Sequence, residues 1–296
     1  MLNFIYWNAD PVLISFGPIS VRYYGLAFAV GFIIGYHVVA RMFRHEGAPE
    51  RWLGILLAYV VVGTVVGSRL GHVFFYAWDY YSQHLSEIPK IWEGGLASHG
   101  GTVGNIIAVL LFSWWVSKKN PAWTFDKLVV PIALVGGLIR LGNLMNSEIY
   151  GAYTDVPWGF VFMRNGETMA AHPTQIYEAL CYFALFAVLM WMYWKKNAEE
   201  RPWLITGVFF IGIFVPRFFI EYIKNVQEPW ELDMIERCGM DMGQVLSIPF
   251  ILLGVGLVIW AMTHPRVKFS FPNKYAEQLE QEAKKGPAGN LPKKKK

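Results

Sequence analysis

The chain has 296 residues and a formal net charge of +4 at pH 7. Apolar side chains make up 54% of it and charged ones only 16%, which excludes a soluble enzyme of this length. No cluster of cysteine and histidine offers a metal site, so neither metal nor cofactor is expected, and nucleic acid is not an expected partner.

Residues 1–20 are apolar, include Tyr6, Trp7 and Asp10, and hold no lysine or arginine. No basic stretch precedes an apolar core, so no cleaved signal peptide is read here. The segment is expected to lie along the outer interface as an arm. Seven apolar runs follow, at about 21–40, 52–76, 100–117, 128–145, 174–194, 203–222 and 243–263. Each approaches the roughly 20 residues that a helix needs to cross hydrocarbon, the third and fourth being short. The fold class is therefore an all-α integral membrane protein with seven transmembrane helices over 21–263. An insertion at 146–172 on the outer side is expected to form a small head. Residues 264–296 are basic, end in Lys293-Lys294-Lys295-Lys296, and are expected to be a disordered tail near anionic headgroups. No internal repeat is visible.

Basic residues fix the expected orientation. Arg41, Arg44 and Arg51, then Lys118, Lys119 and Lys127, then Lys195, Lys196 and Arg201 fall in alternate loops, on the same side as the basic tail. The opposite loops hold only Lys90, Arg164, Lys224 and Arg237. By the positive-inside rule the N-terminus is outside and the C-terminus cytoplasmic, a parity that seven spans require.

Three arginines, Arg69, Arg140 and Arg217, lie inside apolar runs. A charge at membrane depth costs roughly 2.5–3.5 kcal/mol on insertion scales and marks a functional site by default. Counted from the inner surface at about 1.5 Å per residue, all three lie roughly 18–26 Å deep, in the outer half of the bilayer. His99 and His172 open the third and fifth spans from that side, and Tyr23 and Tyr24 open the first. A polar cavity that binds an anion explains the set.

The densest stretch is Gly136-Gly137-Leu138-Ile139-Arg140-Leu141-Gly142-Asn143-Leu144-Met145-Asn146-Ser147-Glu148-Ile149-Tyr150-Gly151. Helical spacing puts Arg140, Asn143 and Ser147 on one face, while the glycines allow close helix approach. A structural ion pair is one reading of Arg140. An anion site is favoured because its near neighbours in sequence are amides. Arg217 has Glu221 one turn on, at pairing distance; such a pair is compatible with orienting the guanidinium toward phosphate, whose oxygens its planar fork matches. Arg69, in Gly67-Ser68-Arg69-Leu70-Gly71, reads equally as a packing anchor.

His99 stands between glycines in Gly94-Gly95-Leu96-Ala97-Ser98-His99-Gly100-Gly101, which predicts a sharp turn and an accessible imidazole suited to proton transfer. The ordinary alternative is a hydrogen-bonding interfacial histidine. His172-Pro173-Thr174-Gln175-Ile176-Tyr177-Glu178 reads as a well-started helix, with Gln175 and Glu178 on one face and an N-terminus suited to anions. Gln244, in Asp241-Met242-Gly243-Gln244, is expected at the outer mouth of the last span. Cys181 and Cys238 are not expected to pair.

Taken in order, Tyr24-Gly25, Gly67 to Gly71, Ser98 to Gly101, Arg140-Leu141-Gly142-Asn143 with Asn146, Glu148 and Gly151, His172 to Glu178, Arg217 with Glu221, and Met242 to Pro249 resemble the prolipoprotein diacylglyceryl transferase family over about residues 10–263. The resemblance implies a bacterial cytoplasmic-membrane enzyme that starts lipoprotein maturation. Its donor would be phosphatidylglycerol and its acceptor the lipobox cysteine of a secreted precursor, with glycerol phosphate released. It implies catalytic roles for His99, Arg140, Arg217 and Tyr24. Substrate contacts would come from Arg69, Asn143, Asn146, Glu148, Gly151, His172, Gln175, Glu178, Glu221 and Gln244. The chain departs from the pattern at Ile213, where some members carry tyrosine, and at Ala152 and Lys224, where others can have arginine. Two rivals use similar parts: an anionic-lipid transporter, against which the lack of repeats counts, and an intramembrane hydrolase, for which no nucleophile motif appears.

Overall fold

The computed structural model describes residues 4–17, 19–226, 229–269 and 271. In chain order the elements are β1 (Ile5–Trp7), β2 (Val12–Phe16), β3 (Ile19–Arg22), α1 (Tyr23–Glu46), α2 (Arg51–Phe75), α3 (Trp78–Tyr81), α4 (Ser98–Leu111), α5 (Pro121–Met145), α6 (Thr174–Lys196), α7 (Leu204–Glu221), α8 (Pro229–Cys238) and α9 (Met242–Thr263), with short 3-10 turns between. A π-helical segment, Phe112–Ser117, extends α4. Among the described residues seven helices are long and apolar enough to cross a membrane, and they match the seven predicted runs. Between 17% and 44% of each spanning window is buried, so most of their apolar surface is left for lipid. The chain is a multi-pass membrane protein.

The fourth span departs from expectation. It begins at Pro121, well before the predicted 128, because its two charges are accommodated inside the protein. Asp126 is 3% exposed and accepts hydrogen bonds from Trp203 N (2.8 Å), Thr206 N (2.8 Å) and Thr206 Oγ1 (2.6 Å). It caps the start of α7 from another helix, satisfying amides that the helix itself leaves open. Lys127, expected in a loop, is buried with Nζ donating to Trp123 O at 2.9 Å and lying 4.3 Å from that indole's centroid.

Two compact units divide the chain: residues 1–39 with 122–267, and residues 40–121 with 268–296. In the first, α7 and α9 pack backbone to backbone. A Cβ built on Gly207 would fall 2.9 Å from Gly254 O, and the reverse is equally tight. Without a hydrophobic drive between helices in lipid, such small-residue contacts bring the backbones close enough for dispersion to hold them. Next to the end of α5, β1 pairs in parallel with β4 (Phe160–Phe162), placing Ile5 beside Phe160 and Trp7 beside Phe162. Leu144, Phe160, Phe162 and Ala171 form the core of this head, with Trp7, Tyr150 and Ile176 against it. The predicted insertion therefore folds with part of the predicted arm, as short strands beside the seven-helix fold that the sequence predicts. The remainder of the arm is the β2–β3 hairpin, exposed where described, which runs directly into α1.

Glu167, in the head, accepts from Tyr150 (2.6 Å) and Tyr153 (2.7 Å) hydroxyls. These two donors hold its carboxyl below the usual range. The tail's first residues are tied down, with Val267 N donating to Glu200 O at 2.7 Å. The expected disorder of the later tail, 272–296, lies outside the described residues.

In the second unit, α2 and α4 cross on facing glycines: Gly67 and Gly71 meet Gly100, and Gly63 meets Gly104, each backbone against backbone. Arg69, on α2, is 3% exposed and donates to four carbonyls: Ile88 (2.7 Å), Gly94 (2.6 Å), Gly95 (3.3 Å) and Glu87 (2.9 Å). Its guanidinium carbon is 5.0 Å from the Tyr81 centroid. These contacts match the packing-anchor reading of Arg69, with the fork holding the loop that leads into α4.

Three outcomes follow from these contacts. Asp126→Ala leaves two buried amides open and should destabilise the protein by about 1–3 kcal/mol, read as a lower unfolding midpoint in detergent. Arg69→Lys keeps the charge but loses the fork, so amide exchange in residues 85–95 should accelerate while α5–α6 is unaffected. The depressed Glu167 carboxyl gives the head stability that is full above the ordinary carboxylate range and lost as pH falls through the lowered value. Head amides should therefore exchange faster on acidification, and Glu167→Gln should remove that pH dependence.

Candidate active site

In the first unit a chain of alternating charge links α5, α6 and the end of α7. Arg140 Nε lies 2.5 Å from Glu178 Oε2, on α6. The other carboxylate oxygen, Oε1, is 3.6 Å from Lys224 Nζ. Lys224 Nζ is in turn 3.2 Å from Glu221 Oε2, at the last residue of α7. Glu178 is 0% exposed, and neither of its oxygens accepts a well-aligned hydrogen bond among the described residues. Its compensation is therefore Coulombic, from two cations. The expectation that amides are Arg140's near neighbours is corrected in part: an amide is there, with Arg140 Nη1 donating to Asn143 Oδ1 at 3.4 Å, but the carboxylate is closer. Buried Tyr182 also lies beside Arg140.

Arg217 is different. Glu221 stands one turn further along α7, yet Arg217 makes no hydrogen bond or ion pair among the described residues. Glu221 turns instead to Lys224 and to the start of α9, where a Cβ on Gly243 would fall 2.6 Å from its carboxyl carbon. The expected Arg217–Glu221 pair is not formed.

Around this chain a second set of groups converges on Glu148. Asn143 Nδ2 (2.7 Å) and Asn146 Nδ2 (3.1 Å) donate to Glu148 Oε1, and Gln175 Nε2 donates to its backbone oxygen at 2.6 Å. The turn is tight because α5 stops at Met145 and Ser147 and Ile149 take left-handed backbones, φ 56° and 60°. Ser147 is thus off the helix, and the predicted polar stripe reduces to Arg140 and Asn143. Gly151 is enclosed by Ile223 O, Thr174 Cγ2 and His172 Cβ, so any side chain there would displace the segment that carries Lys224. Gly142 is covered by Tyr24, whose Cδ2 would be 2.9 Å from an added Cβ.

His172 Nδ1 is 3.2 Å from Tyr177 Oη, which accepts from Trp158 Nε1 at 2.8 Å. Gln244 is 2% exposed and forms a capping box with Asp241, accepting from Asp241 N at 3.1 Å while its amide donates to Asp241 Oδ1 at 2.7 Å. Its Nε2 donates to Phe218 O of α7 at 3.3 Å, so the side chain ties the start of α9 to α7.

Arg69 and His99 belong to the second unit. His99 lies in the first turn of α4, exposed, with no hydrogen bond among the described residues. The predicted turn is made by Gly94 and Gly95, φ 90° and 70°, whereas Gly100 packs on α2. His99 borders an apolar groove of about 890 Å³ walled by Val62, Val66, Leu70, Val103 and Ile107. Among the described residues no group of three or more metal-ligating side chains forms, and Cys181 and Cys238 are both free.

Lys224, read from the sequence as a loop charge at a position where other members can have arginine, joins the charge chain, and its place three residues after Glu221 is a pairing distance. Tyr182 gave no signal in the sequence.

Residues 11–260 match the family model described as prolipoprotein diacylglyceryl transferase. The chain is 52% identical over 272 residues to the phosphatidylglycerol–prolipoprotein diacylglyceryl transferase of Porphyromonas gingivalis, covering 88% of this chain and 96% of that protein. The enzyme of the same name from Tolumonas auensis is 45% identical over 255 residues, covering 86% and 96%. That from Chloroherpeton thalassium is 41% identical over 266 residues, covering 90% and 97%. A buried cationic site on membrane-spanning helices, in a chain matched over nearly all its membrane region, places it plainly: the chain belongs to the prolipoprotein diacylglyceryl transferase family.

Proposed function

We propose that the protein transfers the diacylglyceryl group of phosphatidylglycerol to the lipobox cysteine of a secreted prolipoprotein, the first step of lipoprotein maturation. As a member of its family it is a transferase, and the relatives' names supply the donor and the acceptor class. The observation that carries the chemistry is Arg217, half-buried on a membrane helix and uncommitted, near a charge chain that ends on Arg140. We place the N-terminus outside and the C-terminus in the cytoplasm, in the bacterial cytoplasmic membrane, on the distribution of basic loops.

The cysteine sulfur attacks the glycerol carbon that bears the phosphate. A C–S bond forms, the C–O bond breaks, and glycerol phosphate leaves with the electron pair. Arg217 and Arg140 bind the phosphate and stabilise the charge that grows on it; Glu178 holds Arg140 in orientation and Asn143 lies alongside. Glu148, held by Asn143 and Asn146, fixes the turn that presents this face. Tyr24, seated on Gly142, borders the headgroup. His99 is the base for the thiol, because it is an exposed imidazole not committed to another group among the described residues. Gly151, His172 and Gln175 shape the site's wall, and Arg69 and Gln244 act by holding backbone in place.

The test is an assay of purified protein with phosphatidylglycerol and a lipobox peptide, read by mass spectrometry. A diacylglyceryl mass should appear on the peptide and be absent from a Cys→Ser peptide. Arg140→Ala and Arg217→Ala should each lower kcat/KM by about 100-fold or more, the scale of one lost charge-stabilising donor. Near-normal turnover in His99→Gln would remove the base assignment alone. No adduct from folded, lipid-bound protein would leave lipid transport as the reading.

A further inference from the structure

We infer that Lys224 is a positioning residue that keeps Arg217 available by occupying Glu221. The inference rests on the phosphate-binding role proposed for Arg217. On a helix, arginine and glutamate four residues apart pair by default, and in lipid-side surroundings little water competes for either. In this structure the pair is not made. Glu221 Oε2 is taken by Lys224 Nζ at 3.2 Å, and Arg217 has neither hydrogen bond nor ion pair among the described residues.

Lys224 is built for this task. Its side chain is 5% exposed, so the ammonium is not a drifting surface charge. The backbone is pinned on both sides, since residue 224 is bridged to Gly151 and Ile223 O accepts from Ala152 N at 2.8 Å. A second acid, Glu178, holds Nζ at 3.6 Å. One compact cation with rotatable donors can serve two carboxylates in different directions, whereas a guanidinium fork favours one. Asp241, an acid near Glu221, accepts from the Gln244 amide as the N-cap of α9. Removing the ammonium leaves Arg217 as the cation acting on Glu221 among the described residues. The guanidinium meant for phosphate would then be drawn down its own helix.

The experiment measures binding of short-chain phosphatidylglycerol to detergent-purified protein by calorimetry, with no acceptor peptide, for wild type and for Arg217→Ala, Lys224→Met, Glu221→Gln, Lys224→Met with Glu221→Gln, and Lys224→Arg. Lys224→Met should weaken binding about tenfold or more, the scale of one lost charge-assisted contact. In the Glu221→Gln background the same change should cost less than about threefold, because no carboxylate remains to capture Arg217. Lys224→Arg should stay closer to wild type than Lys224→Met. Equal losses in both backgrounds would make Lys224 a direct phosphate ligand and overturn the inference, as would no loss in Lys224→Met. If Lys224→Met does not fold, the double variant, which buries one unpaired charge fewer, is compared with Glu221→Gln, and a loss beyond about threefold there overturns it too. Arg217→Ala binding as tightly as wild type would instead sink the phosphate role of Arg217, a separate failure visible without any change at Lys224.

Discussion

Ionised side chains held within membrane-spanning helices must be answered by other charges or by polar backbone, and most of this structure follows from how that is done. Hydrocarbon offers no water to solvate a stray guanidinium. Arg69 is answered by four carbonyls of one loop. Arg140 is answered by Glu178, and Glu178 by Lys224 in addition. Asp126 is answered by the open amides of α7. Each solution fixes a backbone segment as well as a charge, so the same contacts that make the residues tolerable also set the positions of the loop before α4, the start of α7 and the segment after it.

Arg217 breaks this pattern, which is why the proposed function centres on it. A cation without a hydrogen bond or ion pair among the described residues, beside a network that is otherwise paired, is a poor contributor to stability and suits the proposed receptor for an incoming phosphate. Catalysis needs groups whose charge is completed only as the leaving group departs. The surrounding ion pairs serve that end by being already satisfied, so that they do not compete for it.

Close packing makes the arrangement possible. Gly142 lets Tyr24 lie on the helix that carries Arg140, and Gly151 lets the Lys224 segment pass against the turn after α5. A methyl group at either position would displace these neighbours, and buried ion pairs lose more from such shifts than apolar contacts do.

The sequence by itself determined the seven spans and the stretches that carry Asn143, Glu148 and Glu178. These are local matters: crossing hydrocarbon requires a length and an apolarity that can be read from a window of residues, and helical spacing puts Gln175 and Glu178 on one buried face. The tertiary structure alone decided which acid meets which base. Sequence spacing pairs Arg217 with Glu221 and leaves Arg140 among amides, whereas the fold brings α6 to Arg140 and returns the segment after α7 so that Lys224 reaches Glu221 first. It likewise set Arg69 against the carbonyls before α4 and Gln244 between α9 and α7, and started α5 a turn and more earlier by burying Asp126 and Lys127. Where water is scarce, charge pairing is settled by distances between helices, and those follow from packing that no single window of sequence contains.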